Sequence, residues 1–324
     1  MENENLIASS ILDRIGDTPM LELRRIAPPG CARLLIKLEG QNPTSSMKDR
    51  MALAMIEAGE RSGRLGPQGR VVEYTGGSTG VSLALVCAAK GYELSIVTSD
   101  AFSIEKRRHM AALGAELTLV PSHGGGMDAA LTRNMIAAAR QITERTGGFW
   151  TDQLNNEDQL KAYHLMADEI LEQTGARIDA FVQATGTAAS LRGIAEGFRR
   201  RQKSVRIVAV EPKESAVLSG GRSGVHRIEG VGAGFVVPLW RPDLVDEIFQ
   251  VTTEDAMAMS RRLAHREALF AGTSTGANLL AAIDIGMRLG RNATVATVMC
   301  DSGIKYLSTA LYGESSNSNV NGPA

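Results

Sequence analysis

The sequence predicts an α/β fold with parallel sheets, on three observations. Short runs rich in Val, Ile and Leu alternate along the chain with longer helical patterns. Several of the short runs are apolar on both faces, as strands covered by helices on each side must be. The alternation also divides into two stretches, about Glu39 to Phe149 and about Thr151 to Leu311, and a chain of 324 residues suits two domains.

Taken in order, Leu34–Glu39 (LLIKLE) reads as the first strand. Asp49–Gly63 follows as a helix, carrying Met51, Leu53, Ala54, Met55 and Ile56 and closing at a glycine. The strand Val71–Thr75 precedes a nearly all-apolar helix, Ser78–Gly91, whose composition predicts burial on every side. Strands Leu94–Ser99 and Glu116–Pro121 come next, then a long amphipathic helix, Met127–Thr146, stopped by Gly147-Gly148. In the second stretch the helix Asp158–Thr174 ends at Gly175, the strand Phe181–Ala184 leads into the helix Ala188–Gln202, and Arg206–Glu211 is a further strand. Helices Thr253–Glu267 and Gly276–Leu289 and the strand Thr294–Asp301 complete the set. Arg199-Arg200-Arg201 reads as a solvated helix face, and the polar last residues as a disordered tail.

Composition narrows the function classes. Hydrophobic residues make up 44% and charged residues 22%, which is globular rather than disordered. Thirty-five Lys and Arg against 36 Asp and Glu leave no electrostatic reason for a nucleic-acid or membrane-surface partner. Cys31, Cys87 and Cys300 are far apart and form no C-x-x-C pair, so no zinc knuckle or disulfide framework is expected and the compartment reads as reducing. The first ten residues lack the basic and apolar blocks of a signal peptide, and the longest apolar run, Val81 to Ala89, is too short to span a bilayer. A cytoplasmic protein is expected. The P-loop pattern and the G-x-G-x-x-G fingerprint after the first strand are missing, and G-x-S-x-G is not read as a nucleophile elbow. His109, His123, His164, His226 and His265 show no metal-ligand spacing.

Strand-to-helix turns carry the chemistry instead. Thr75-Gly76-Gly77-Ser78-Thr79-Gly80 and Gly186-Thr187-Ala188-Ala189-Ser190 each join a strand to a helix through small residues. A ligand can approach the backbone there, and the helix N-terminus offers free N–H groups to an anion. Gly272-Thr273-Ser274-Thr275-Gly276 is a third such turn, and Gly230-Val231-Gly232-Ala233-Gly234 a flexible fourth. Lys48, in Asn42-Pro43-Thr44-Ser45-Ser46-Met47-Lys48-Asp49-Arg50, opens a helix where the dipole disfavours a cation. That position makes its neutral amine more accessible and makes it a Schiff-base candidate.

The order and spacing of these segments resemble the fold-type II pyridoxal-phosphate enzymes, specifically the cysteine synthase (O-acetylserine sulfhydrylase) and cystathionine β-synthase family. The likeness runs from Ile15-Gly16-Asp17-Thr18-Pro19 to Asp301-Ser302-Gly303-Ile304-Lys305-Tyr306-Leu307-Ser308. It implies a tryptophan synthase β-like architecture of two domains, each a mostly parallel sheet flanked by helices. Residues 39–150 would form the smaller domain, with Lys48 and a substrate-carboxylate loop. Residues 8–38 plus 151–312 would form the larger, with the phosphate loop, and 313–324 a disordered tail. The cofactor implied is pyridoxal 5'-phosphate. Lys48, in the family's Ser-x-Lys-Asp-Arg context, would carry it. Gly186, Thr187, Ala188, Ala189 and Ser190 match the family's Gly-Thr-Gly-Gly-Thr phosphate loop, the two alanines presenting their N–H groups if φ is negative. Ser274 would face the pyridine nitrogen as an uncharged partner, which disfavours transamination. Thr75, Gly76 and Thr79 would hold the substrate carboxylate, with Gln153 beside them and Gly230 in a mobile loop above. The chain departs from the pattern at Ser78, where the family's asparagine meets the cofactor's phenolic oxygen, and at Gly76, where the family has a serine.

The activity implied is β-replacement on an O-activated serine, O-acetylserine or O-phosphoserine, through an aminoacrylate and with sulfide, to give L-cysteine. The alternatives are β-elimination of the cysteine desulfhydrase or serine dehydratase type, or replacement with another nucleophile, as in cystathionine β-synthases or specialised amino-acid synthesis. The partners implied are the amino acid, a small nucleophile and a second copy of the chain.

Overall fold

The computed structural model describes residues 7–122 and 129–313. Two sheets organise the chain. Strands β3 (Arg70–Tyr74), β4 (Glu93–Ser99), β5 (Glu116–Val120) and β6 (Phe149–Trp150) form a wholly parallel sheet in the order β5-β4-β3-β6. Strands β1 (Met20–Glu22), β2 (Arg33–Lys37), β7 (Ala180–Ala184), β8 (Arg206–Pro212), β9 (Glu247–Val251) and β10 (Thr294–Val298) form the other, in the order β1-β2-β10-β7-β8-β9. Only β1 runs antiparallel in it. Although β2 is near the N-terminus, it pairs with β10 near the other end, Ile36 facing Thr297. All seven expected strands are present, within one residue of their expected starts. The final one is shorter than expected: the Met299 amide still bonds the Lys37 carbonyl, but the Cys300 amide turns to Thr275 Oγ1.

Helices cover the sheets because their apolar faces require it. They are α1 (Lys48–Arg61), α2 (Ser78–Lys90), α3 (Ile104–Ala112), α4 (Ala129–Thr146), α5 (Leu160–Gln173), α6 (Ala189–Arg200), α7 (Thr253–Glu267) and α8 (Thr273–Leu289). The start expected for α4, Met127, lies outside the described residues, as do His123 and residues 314–324 of the expected tail. In α2, Val81, Leu83, Ala84, Val86 and Cys87 are buried as its composition predicts, but Leu85 is half-buried and Ala88 and Ala89, in the last turn, are exposed. The run expected from Asp158 divides into a 3-10 turn, Glu157–Gln159, capped by Asn156, followed by α5. Thr252 caps α7, its hydroxyl accepting the Asp255 amide at 3.1 Å. The basic run Arg199 to Arg201 is exposed. Among the described residues no helix is long and apolar enough to cross a membrane.

This topology sets the position of the site. The turns after β3 and β7 each lead directly into a helix N-terminus, and the segment after β10 lies beside them. In open parallel sheets, the crevice outside the carboxyl ends of the strands is where ligands bind.

Candidate active site

Lys48 is the first residue of α1, and its two sequence neighbours fix it there. The Asp49 carboxylate accepts the Thr44 amide at 2.7 Å and the Ser82 hydroxyl at 2.6 Å, and also bonds the Thr44 hydroxyl. The Arg50 guanidinium forks onto Glu39 at 2.7 and 2.8 Å and onto Glu169 at 2.6 and 2.7 Å. Lys37 adds a second cation to Glu169, at 2.6 Å. Bidentate charged pairs of this kind are directional as well as strong. The Lys48 amide donates to Ser46 Oγ and the Met47 amide to the Cys300 carbonyl. The Lys48 amine itself makes no ion pair among the described residues. Burial pulls its pKa below the usual lysine value, with the nearby Asp301 carboxylate opposing the shift.

Two adjoining cavities share Lys48 as a wall. The first, of about 110 Å³, brings together Thr75, Gly76, Ser78, Thr79, Gln153 and Thr187. The second brings together Ser46, Ser78, Gln183, Ser190, Ser274 and Asp301. Gly186 and Gly230 line both. Of the residues expected to hold cofactor or substrate, Ala188 and Ala189 line neither.

Ala188 also breaks the condition set on it. It has φ +67°, not a negative value, because it is the cap residue at which the chain turns from β7 into α6. A side chain in this left-handed region costs about 1 kcal/mol. Ala188 lines a separate small cavity with Leu191, Trp240 and Leu244, away from Lys48. The other residues of the turn are backbone-lined and tight: a Cβ at Gly186 would stand 2.3 Å from the Gly230 carbonyl oxygen. Ser190 Oγ accepts from Gln183 Nε2 at 2.9 Å, which leaves its own proton free to donate.

The 75–80 turn is held from beneath. Thr79 Oγ1 donates to Gln153 Oε1 at 2.9 Å, and Gln153 Nε2 donates to the Tyr74 carbonyl at 2.7 Å. The buried Glu73 carboxyl accepts the Gln153 amide, the Thr151 hydroxyl, the Tyr74 amide and the Trp150 indole N–H. Burial pushes its pKa up to about 7 against the pull of those donors. Gly76 has a packing reason, since a Cβ there would meet the Phe102 ring at 2.7 Å.

Sequence reasoning missed Asp301, Cys300, Phe102, Lys106 and Glu229. Asp301 Oδ2 accepts the Ser78 hydroxyl at 3.0 Å and the Tyr306 hydroxyl at 2.8 Å, while Oδ1 is buried without a partner. The Ser78 proton is thus spent within the chain, and its oxygen faces the cavity only as an acceptor. Cys300 stands beside Ser274, its thiol pushed up to about 11 by burial, so it adds no charge next to that hydroxyl at neutral pH. Lys106 Nζ reaches Glu229 at 2.6 Å and lies 4.1 Å from the Tyr306 ring centroid, linking α3 to the segment that carries Gly230. An acidic residue just after a buried strand was the one signal that could have revealed Asp301.

Comparison with known proteins follows from this geometry. A family model for pyridoxal-phosphate dependent enzymes matches residues 11–301. A cysteine synthase of Staphylococcus aureus is 41% identical over 305 residues, covering 94% of this chain and 96% of the relative. Among solved structures, an O-ureido-L-serine synthase superposes with a TM-score of 0.90 at 34% identity, over 97% of this chain and 98% of that one. A cysteine synthase from Entamoeba histolytica superposes with a TM-score of 0.89 at 34% identity, over 98% and 95% of the two chains.

Proposed function

The chain belongs to the pyridoxal-phosphate dependent enzymes, and on that premise we propose that it makes L-cysteine by β-replacement on O-acetylserine with sulfide. The observation that carries this reading is the unpartnered Lys48 amine on the wall between two cavities, with the 75–80 turn on one side and the α6 N-terminus on the other.

The residues fit the cofactor. Gly186 leaves backbone and nothing else beside Gly230, Ser190 has a proton to give, and the orphaned Gln183 Oε1 is buried next to it. Lys48 would hold the aldehyde carbon, Gly186, Thr187, Ser190 and the amides opening α6 the phosphate, and Ser274 the ring nitrogen. Bound there, pyridoxal phosphate supplies an electron-accepting ring conjugated to the substrate amine.

The rest of the work falls to the chain. The hydroxyls of Thr75 and Thr79 and the amides opening α2 would orient the substrate carboxylate, with Gln153 locking Thr79 from behind. Lys48, its proton affinity lowered by burial, would take the α-proton as general base and return it as general acid. Between the two transfers, the Cβ–O bond to acetate breaks and a Cβ–S bond to hydrosulfide forms. Ser274 presents a hydroxyl where a carboxylate would draw and hold positive charge, so departure of the β-substituent is favoured over transamination. Ser78 would accept from the cofactor side and not donate, because Asp301 takes its proton. A cytoplasmic location accompanies this reading, supported by three cysteines that are all free, and a homodimer is part of the same proposal.

The test is turnover of the cofactor-loaded protein with O-acetylserine and sulfide, with cysteine, acetate and pyruvate all quantified. Cysteine and acetate are expected in equal amounts, and Lys48→Ala should lose about 10³-fold in rate. Pyruvate as the main product, or full activity in Lys48→Ala, would overturn the assignment.

A further inference from the structure

A third cavity, of about 330 Å³, lies beside the active site and is used by none of the chemistry above. Its walls are the N-terminal end of α3, the segment from His226 to Glu229, and the residues around Tyr306 and Ser308. We propose that it binds a small tetrahedral oxyanion, such as inorganic phosphate or sulfate or the phosphate of a small monoester.

Several observations carry this. The cavity receives the N-terminus of a nine-residue helix, whose first amides lack intrahelical partners: the first to bond back is Arg107 N–H, to the Ser103 carbonyl. Ser103, the residue capping α3, does not cap it with its side chain. It is 5% exposed, and its hydroxyl has no partner among the described residues. A buried hydroxyl without a partner costs free energy that a ligand would return. Arg107 lines the same cavity with its Nε shielded from solvent and also unpartnered. Of the carboxylates nearby, Glu229 is paired with Lys106 at 2.6 Å, while Glu105 keeps its charge and is held away by the Ser308 amide at 2.7 Å and hydroxyl at 2.8 Å. The Arg227 guanidinium, at the rim, makes one ion pair among the described residues, with Glu254 at 3.7 Å. Positive charge, a helix terminus and an idle hydroxyl therefore converge on one space.

Occupancy would be felt at the active site through shared walls. Phe102 and Glu229 line both this cavity and the one containing Lys48 and the 75–80 turn. An anion held between Arg107 and Arg227 would draw α3 toward the segment leading to Gly230.

The experiment titrates the cofactor-loaded protein, so that the cofactor's own phosphate site is filled, with inorganic phosphate, sulfate, phosphoserine and acetate. Heat of binding and the phosphorus NMR linewidth are the readouts. One saturable site for the tetrahedral anions is expected, and acetate should bind at least about tenfold more weakly. Ser103→Ala and Arg107→Gln should each weaken it by about tenfold, and added O-acetylserine should not compete. Phosphoserine binding more tightly than phosphate would identify an esterified ligand, and the reverse a free ion. No saturation by about 50 mM, unchanged affinity in both variants, or displacement by O-acetylserine would overturn the proposal. Ser103→Ala removes one oxygen and keeps the test decisive should Arg107→Gln fail to fold. Because none of these readouts depends on turnover, failure of this site is distinguishable from failure of the cysteine-forming reaction.

Discussion

At the scale of single residues, the departures from the family pattern have steric and hydrogen-bonding causes. Gly76 is a glycine because Phe102 occupies the space beside it. Gly76→Ser should therefore cost about 1–3 kcal/mol of stability, since the displaced ring has no room to relax. Phe102→Ala alone removes a buried ring and should cost about 3–5 kcal/mol. The double variant Gly76→Ser/Phe102→Ala should be more stable than the sum of the two losses by about 1 kcal/mol, because the serine fills space the ring has vacated. Denaturant unfolding of all four proteins checks this, and strict additivity would mean that the two positions do not share that space. Ser78 follows a different logic. It is short enough to bond Asp301, and in doing so it changes from donor to acceptor toward the cavity.

At the scale of elements, the helix that presents Lys48 depends on buried charge. Arg50 joins α1 to Glu39, just beyond β2, and to Glu169 in α5. Replacing one partner of a buried ion network strands the others. Arg50→Met should destabilise the protein by about 3–5 kcal/mol, with Glu39 the more costly orphan because it is fully buried. The cofactor should be lost at lower denaturant than in the parent, read as loss of its visible absorbance before loss of helical circular dichroism. The same scale shows what the sequence makes legible. All seven long-range apolar strands and seven of eight helices are readable from periodicity, because burial imposes it. The missed helix, α3, buries only Lys106 and Met110, so it offers no apolar face to read. The missed strands β1 and β9 are the edges of their sheet, half-exposed along much of their length, and β6 has only two residues. The turns that line the candidate site are legible because they are local. Asp301, Phe102, Lys106 and Glu229 join the site only through contacts distant in sequence, which no local pattern encodes.

At the scale of the whole molecule, charge meets where α1, α3 and the end of β10 converge. Lys305 sits there, 5% exposed, with Nζ lacking a hydrogen-bond partner among the described residues. Burial lowers its pKa from 10.5 to about 8, against the attraction of Asp301 and with Lys106 adding to the shift. Between those two values the unfolded chain binds more protons at this residue than the folded one. The contribution of Lys305 to stability therefore rises with pH across that window, and its penalty is complete below it. Lys305→Met removes the titrating group while keeping the volume. On moving from pH 7 to pH 10.5, the parent should gain up to about 3 kcal/mol of unfolding free energy relative to the variant. Urea unfolding of both proteins at several pH values measures the difference directly. A stability difference that stays constant with pH would mean that the ammonium is solvated in the folded protein. The helix α3 would then meet the end of β10 across water, and the shared wall between the active site and the anion cavity would lose its rigidity.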